Sequence, residues 1–391
     1  MAKTKRSSTA QLTTDSLTRD QAAHDRSHPS SDALSTYAYE AIATHLQTVI
    51  QHEANVLADT DPEAIHQMRV GLRRLRTTLE AYGMILQLPP DAQIKRIKKL
   101  AGVLGQVRDL DVLQERLKGQ YRGQLPKAEK KRLDKLLKRL HKQRKRAFST
   151  LKKTFSGKTY QQFKAAYVEW LNQPTYTPLA DYATNQVLPD LLLPIISDLM
   201  LHPGWLAGRS LQPESTTPDQ LSLWLDQEGV ILHSLRKQMK RVRYQTEFFT
   251  PFYGSAYKTQ VKEFKTIQDI LGQIQDCWVL NQRLTQEIGT HWQSQLPTLA
   301  TILQGDRQTL WRSWYPLQQQ YLTPKFRQSL RLLVAQPQDL ELELGTVDLD
   351  SSTLHSPADS PESDSPESNS SESDASDSDT NGSSGQESSP A

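Results

Sequence analysis

The sequence predicts an all-α protein whose core is a tandem of two helical halves. Apolar residues recur at helical spacing over most of the chain, as at Tyr37, Ile42, Leu46 and Ile50. No Val/Ile/Thr-rich alternation marks a strand. Third, the chain repeats itself. Shifted by 167 residues, "HQMRVGLRRLRTTLEAYG" falls on "HSLRKQMKRVRYQTEFFT", and the same shift, ungapped, lays "IKKLAGVLGQVRDLDVL" on "FKTIQDILGQIQDCWVL". Two blocks sharing one offset indicate duplicated helical units.

The elements follow in order. Residues 1–31 are rich in Ser, Thr, Asp and Arg without periodicity and are expected to be disordered. A helix is expected over 33–57, and a second after "DTDPEAIHQM", with Asp61 as cap and Pro62 in the first turn. Helical texture continues over 91–122 and 127–171, with connectors near 172–178 and 202–219, and returns over 220–334. The folded region is therefore placed at 32–336, in halves of about 32–172 and 178–336. Residues 337–391 form an acidic, Ser-rich tail that lacks the apolar surface to offset the entropy of ordering.

Charge divides the same way. The 391 residues hold 47 Lys and Arg against 44 Asp and Glu, but eleven of the acids, and no Lys or Arg, lie in 347–391. With 33 acids left to it, the body carries +14, which suits a polyanionic partner. A single cysteine, Cys277, excludes disulfides within the chain and suits a reducing compartment. The most apolar stretch, residues 187–200, is too short and too interrupted by Pro and Asp to span a bilayer. The N-terminus lacks the apolar core of a signal peptide. A cytoplasmic protein is expected.

On a helical wheel His66, Arg69, Arg73 and Arg76 fall within about 80° of each other, with Glu80 among them and Met68, Leu72, Leu75 and Leu79 opposite. His233, Arg236, Lys240 and Arg243 repeat the charged stripe, and Arg74 recurs as Arg241. Each helix should pack by one face and offer a cationic ridge on another. The alternative is a solvated or internally paired face, but four like charges at this spacing repel each other, and the pattern occurs twice. Guanidinium forks grip two phosphate oxygens at once, and the two histidines can donate to the same anion. In the second block Lys98, Gly105 and Asp109, recurring as Lys265, Gly272 and Asp276, share a face. The glycines should admit a close neighbouring helix, the lysines extend the cationic surface, and the aspartates orient an arginine. Between 127 and 153, thirteen Lys or Arg against two acids make a basic helix, read as a secondary site or a solvated face.

"HQMRVGLRRLR" followed by "LGQVRDLDVL", with a degenerate second copy, resembles the CHAD domain, the conserved histidine α-helical domain, over about residues 33–335. The resemblance implies two four-helix bundles related by a pseudo-two-fold axis, with basic residues lining a central groove or pore. It also implies binding of inorganic polyphosphate and association with polyphosphate granules. Carried over by position, the contacts would be His66, Arg69, Arg73, Arg74, Arg76 and Lys98, with His233, Arg236, Lys240, Arg241, Arg243 and Lys265. Two departures stand out. Gly71 sits in mid-helix, where the family tends to have a better helix former, and should soften that helix. "IQDCWVL" lacks the arginine of the family's "RDLDVL". Members fused to a hydrolase carry E-x-E-x-K, whereas "ELELG" at 341–345 lacks the lysine.

The expected activity is thus non-catalytic polyphosphate binding, without cofactor or metal. Nucleic-acid binding remains open, although the ridges hold no aromatic before Tyr244 and all seven tryptophans read as core. A polyphosphate-metabolising enzyme is less favoured, because no Gly-rich cradle or carboxylate cluster is found. "HDRSH" at 24–28 has metal-like spacing but lies in the leader. The acidic tail could imitate a polyanion and compete for the ridges.

Overall fold

A computed structural model of the chain describes residues 33–337. The leader, with its "HDRSH", the tail beyond residue 337 and "ELELG" lie outside the described residues. Within them the chain is helical, with no strand beyond the isolated bridges Ala33–Ala183 and Leu86–Tyr176. None of the described helices is long and apolar enough to cross a membrane.

The first helices are α1 (Leu34–Gln51), α2 (Glu53–Ala58), α3 (Pro62–Ala81), α4 (Ile94–Arg116), α5 (Lys127–Phe155) and α6 (Lys158–Asn172). After a loop follow α7 (Thr184–Leu201), α8 (Pro218–Phe248), α9 (Ser255–Ile288), α10 (Trp292–Gln295), α11 (Pro297–Leu322) and α12 (Pro324–Ala335). The repeated blocks occupy α3 and α8 in one case and α4 and α9 in the other. Carried forward by 167 residues, α5 and α6 land on α11 and α12.

Local chemistry sets the ends. The Asp61 side chain accepts from the Glu63 N–H at 2.8 Å, with Pro62 in the first turn, as expected. A full capping box, Thr217 with Gln220, starts α8. Helix α7 forms across the two prolines 189 and 194 because Leu188, Leu192, Ile195, Ile196 and Leu199 bury one face of it.

Three apolar cores hold the helices. One lies within residues 42–176, built on α1, α3, α4 and α6. The second fills the space among α7, α8, α9, α11 and α12, and also takes Leu34, Ala38, Ala81, Tyr82 and Ile85 from the first half. The third joins the halves: Leu133, Leu136, Leu137 and Leu140 of α5 pack with Leu280 and Leu284 of α9 and Leu299 and Leu303 of α11. At that junction the buried Glu129 carboxylate accepts from the N–H groups of Thr298 and Leu299, at 3.1 and 3.3 Å. A carboxylate at a helix N-terminus satisfies donors that the helix leaves open.

Helix α1 packs along α3, and Gly71 explains how closely. A Cβ there would stand 3.0 Å from Val49 Cγ2 and 3.1 Å from Thr48 Cγ2. The glycine therefore admits α1, at the expense of helix propensity. Nearby, His45 of α1 is buried beside the Phe248 ring, 5.7 Å away. Burial, helped by the charge of Arg74, lowers its imidazole from 6.5 to about 4.

The folded protein thus holds His45 neutral, while unfolding lets it take up a proton. Its contribution to stability is intact above pH 6.5 and is lost as pH falls towards 4. Between pH 7.5 and 5 that loss amounts to about 2 kcal/mol. The urea midpoint of the wild type should fall further over this interval than that of His45→Gln, and equal falls would contradict the assignment.

Candidate functional site

Helix α3 is wrapped on nearly every side, touching α1, α4 and α8. This corrects the expected open ridge. His66 and Arg69 are 7% and 4% exposed, and Arg236 and Arg243 of α8 are 4% and 3% exposed. Arg73, His233 and Lys240 are half-buried, whereas Arg74, Arg241, Lys98 and Lys265 are exposed. A wheel separates apolar from charged faces but cannot count the neighbours that a helix will meet.

The two stripes come together where α3 meets α8. The Arg73 guanidinium lies over the Tyr244 ring at 4.9 Å, and that of Arg243 lies 4.6 Å from the same ring. Tyr244 therefore joins the repeats through two cation–π contacts, in which the negative face of the ring offsets positive charge. Arg76 donates to Glu80 at 2.9 Å and Arg243 to Glu247 at 3.3 Å. These equivalent i, i+4 pairs show that part of each stripe is internally paired. The buried Nε of Arg236 donates to nothing among the described residues.

Gly105 serves a different purpose from the one expected. A Cβ there would stand 2.4 Å from Arg69 Nη1, so the glycine makes room for a guanidinium rather than for a helix backbone. Past that gap opens a cavity of about 560 Å³ between α4, α5 and α9, with Arg69 and Gly105 in its lining. Asp109 and Arg283 line it as well, with Gln106, Gln143 and Trp278. Sequence reasoning missed this cavity, and it assigned Trp278 to the core although that residue is half-buried.

Asp276 partners an arginine. Asp276 Oδ2 lies 3.6 Å from Arg116 Nη1, an ion pair between α9 and α4. Arg116 Nη2 also lies 3.6 Å from Cys277 Sγ, and its guanidinium sits 5.6 Å from the Tyr121 ring. Burial pushes the Cys277 thiol up, which keeps it protonated and inert. The 167-residue offset maps Arg116 to Arg283 and Asp276 to Asp109. One equivalent pair is closed by protein, and the other faces the cavity.

A family model described as the CHAD domain matches residues 40–285, more than half of the chain. Among solved structures, the CHAD domain from the plant Ricinus communis shares 24% sequence identity, covering 77% of this chain and 91% of that one, with a TM-score of 0.46. PptA from Streptomyces chartreusis shares 15% identity over 74% of this chain and 99% of its own, with a TM-score of 0.52, a likeness of fold. No curated protein matches.

The two glycines should respond in opposite ways to alanine. Gly105→Ala meets only the movable end of Arg69, so stability should hold or rise by up to about 1 kcal/mol. Gly71→Ala meets β-branched side chains anchored in α1 and should lose about 1 kcal/mol net. Thermal melts separate the two by a few degrees. A lower melting temperature for Gly105→Ala than for Gly71→Ala would overturn the reading.

Proposed function

We propose, from the premise that this chain belongs to the CHAD domain family, that it is a non-catalytic binder of inorganic polyphosphate. One observation carries the reading. His66, Arg69 and Arg73 of one repeat and His233, Arg236 and Arg243 of the other are buried or half-buried on helices that touch. Guanidiniums withdrawn from water favour an anion able to reach them, and they hold it through charge-assisted, often bidentate hydrogen bonds.

The degree of burial selects among anions. A polyphosphate chain is thin, carries a charge at every unit and has no side groups to exclude. The exposed Arg74, Lys98, Arg241 and Lys265 would gather it from solvent, and the inner arginines would grip it. Association with polyphosphate granules follows from the same affinity. A nucleic acid is less well suited. Tyr244, the aromatic residue of the ridges, is 9% exposed and has its ring taken by two guanidiniums, so it offers bases no stacking surface. Among the described residues, the ridges hold no carboxylate set suited to the metal ions of phosphoryl transfer.

Competition binding tests the reading. Labelled long-chain polyphosphate, bound to the full chain near physiological salt, should resist single-stranded RNA offered at equal phosphate concentration. Displacement by RNA as effective as that by unlabelled polyphosphate would reduce the function to general polyanion binding. Release of inorganic phosphate on incubation with Mg²⁺ would contradict the non-catalytic assignment.

A further inference from the structure

The inner arginines leave the most conspicuous cations of the molecule unused. Helix α5 carries thirteen Lys and Arg between residues 127 and 153, and the structure sorts them. Arg144 is drawn inward, paired with Asp59 and with Asp111 at 2.9 Å. Arg139 meets Glu287 at 3.6 Å. Lys127, Lys131, Lys135, Lys138, Lys142 and Lys145, by contrast, are all exposed, and none forms a salt bridge among the described residues.

These six lysines follow one another every three or four residues. On the wheel they fall within about 80°, opposite the leucines that bury α5. They form a straight row about 27 Å long. A solvated helix face ordinarily mixes signs, because like charges at this spacing repel. The one acid that flanks the row, Asp134, is held by Arg122 at 2.8 Å, so most of the counter-charge for six lysines must come from elsewhere.

The chain contains a segment of matching chemistry. Residues 348–387 hold eleven Asp and Glu and no Lys or Arg. Reach poses no obstacle. The eleven residue-to-residue steps from Pro337 to Asp348 can span up to about 36 Å, and the acidic stretch beyond them is longer still. Tethering also places these carboxylates at an effective concentration in the millimolar range.

We propose that residues 348–387 dock on the exposed lysine row of α5 and shield it from other polyanions. The arginines of α3 and α8 suit this segment poorly. Arg69, Arg236 and Arg243 are at most 4% exposed, and a polypeptide bearing its carboxylates on side chains is too bulky to follow them inward. The tail therefore competes at α5 and leaves the inner site to a thinner ligand. The shielding matters for selectivity, because an unmasked lysine row would take nucleic acid by charge alone. The inference complements the polyphosphate reading, and its test does not need that ligand.

Zero-length carbodiimide cross-linking of the full chain at low salt should join tail carboxylates mainly to Lys131–Lys145. Absence of such links, or links spread evenly to other exposed lysines such as Lys95, Lys99 and Lys258, overturns the proposal. Single-stranded RNA gives the functional readout. Ending the chain at Gly345 should raise RNA affinity about tenfold at low salt, an effect screened by added salt. The same truncation in the variant with Lys131, Lys135, Lys138, Lys142 and Lys145 each changed to Gln should give no such rise. An equal rise in both backgrounds, or in neither, contradicts docking on α5. The five lysines face solvent, and circular dichroism and melting of the variant confirm that it is folded before it is scored.

Discussion

Arginine burial is the constraint on which the rest of the structure turns. Arg69, Arg236 and Arg243 sit inside an all-α protein with 3–4% of their surface exposed. Withdrawing such charges from water costs several kcal/mol apiece unless partners offset it. The fold offers partial compensation through the Tyr244 ring, which meets Arg73 and Arg243, and the Glu247 carboxylate on Arg243. The orphaned Nε of Arg236 shows that the compensation is incomplete. Side chains held this way are ordered in advance, so an anion that reached them would gain electrostatic energy without first organising them.

Duplication supplies the second level of organisation, and its value lies in where the copies diverge. Arg116 meets Asp276 beside Cys277 and Tyr121, which fills one side of the contact between α4 and α9. The equivalent residues Arg283 and Asp109 line the cavity on the other side. Leu110 stands where the second copy has Cys277, and Trp278 where the first has Asp111. At positions matched by the 167-residue offset, Arg116 and Asp276 thus meet directly while Arg283 and Asp109 line a cavity. The third core, shared by α5, α9 and α11, ties the halves together at that end.

Much of this was legible in the sequence, for local reasons. Asp61 followed by Pro62 marked the start of α3, and the apolar spacing of Met68, Leu72, Leu75 and Leu79 gave its buried face. The two repeated sequence blocks, which share one 167-residue offset, each fall within a helix of the structure, α3 and α8 for the first and α4 and α9 for the second. What stayed hidden depends on neighbours. Periodicity cannot say that the charged face of α3 would be covered too. Gly105 reads as a packing glycine until Arg69 is seen passing over it. Tyr244 has Thr77 as its counterpart, so the repeat gave no hint that this ring would join the two stripes. The asymmetry of α5 against α11 was visible, but only burial separates its inward Arg144 from its outward lysines.

The most direct measurement is the salt dependence of polyphosphate binding by the wild type and by Arg236→Gln. Relieved of an orphaned buried charge, the variant should melt no lower than the wild type. It should nonetheless bind polyphosphate at least tenfold more weakly, with a log–log salt slope shallower by about 1, as expected when one phosphate contact is lost. An Arg236→Gln protein of unchanged affinity and slope would contradict the account, because the buried arginines would then not be where the anion is held.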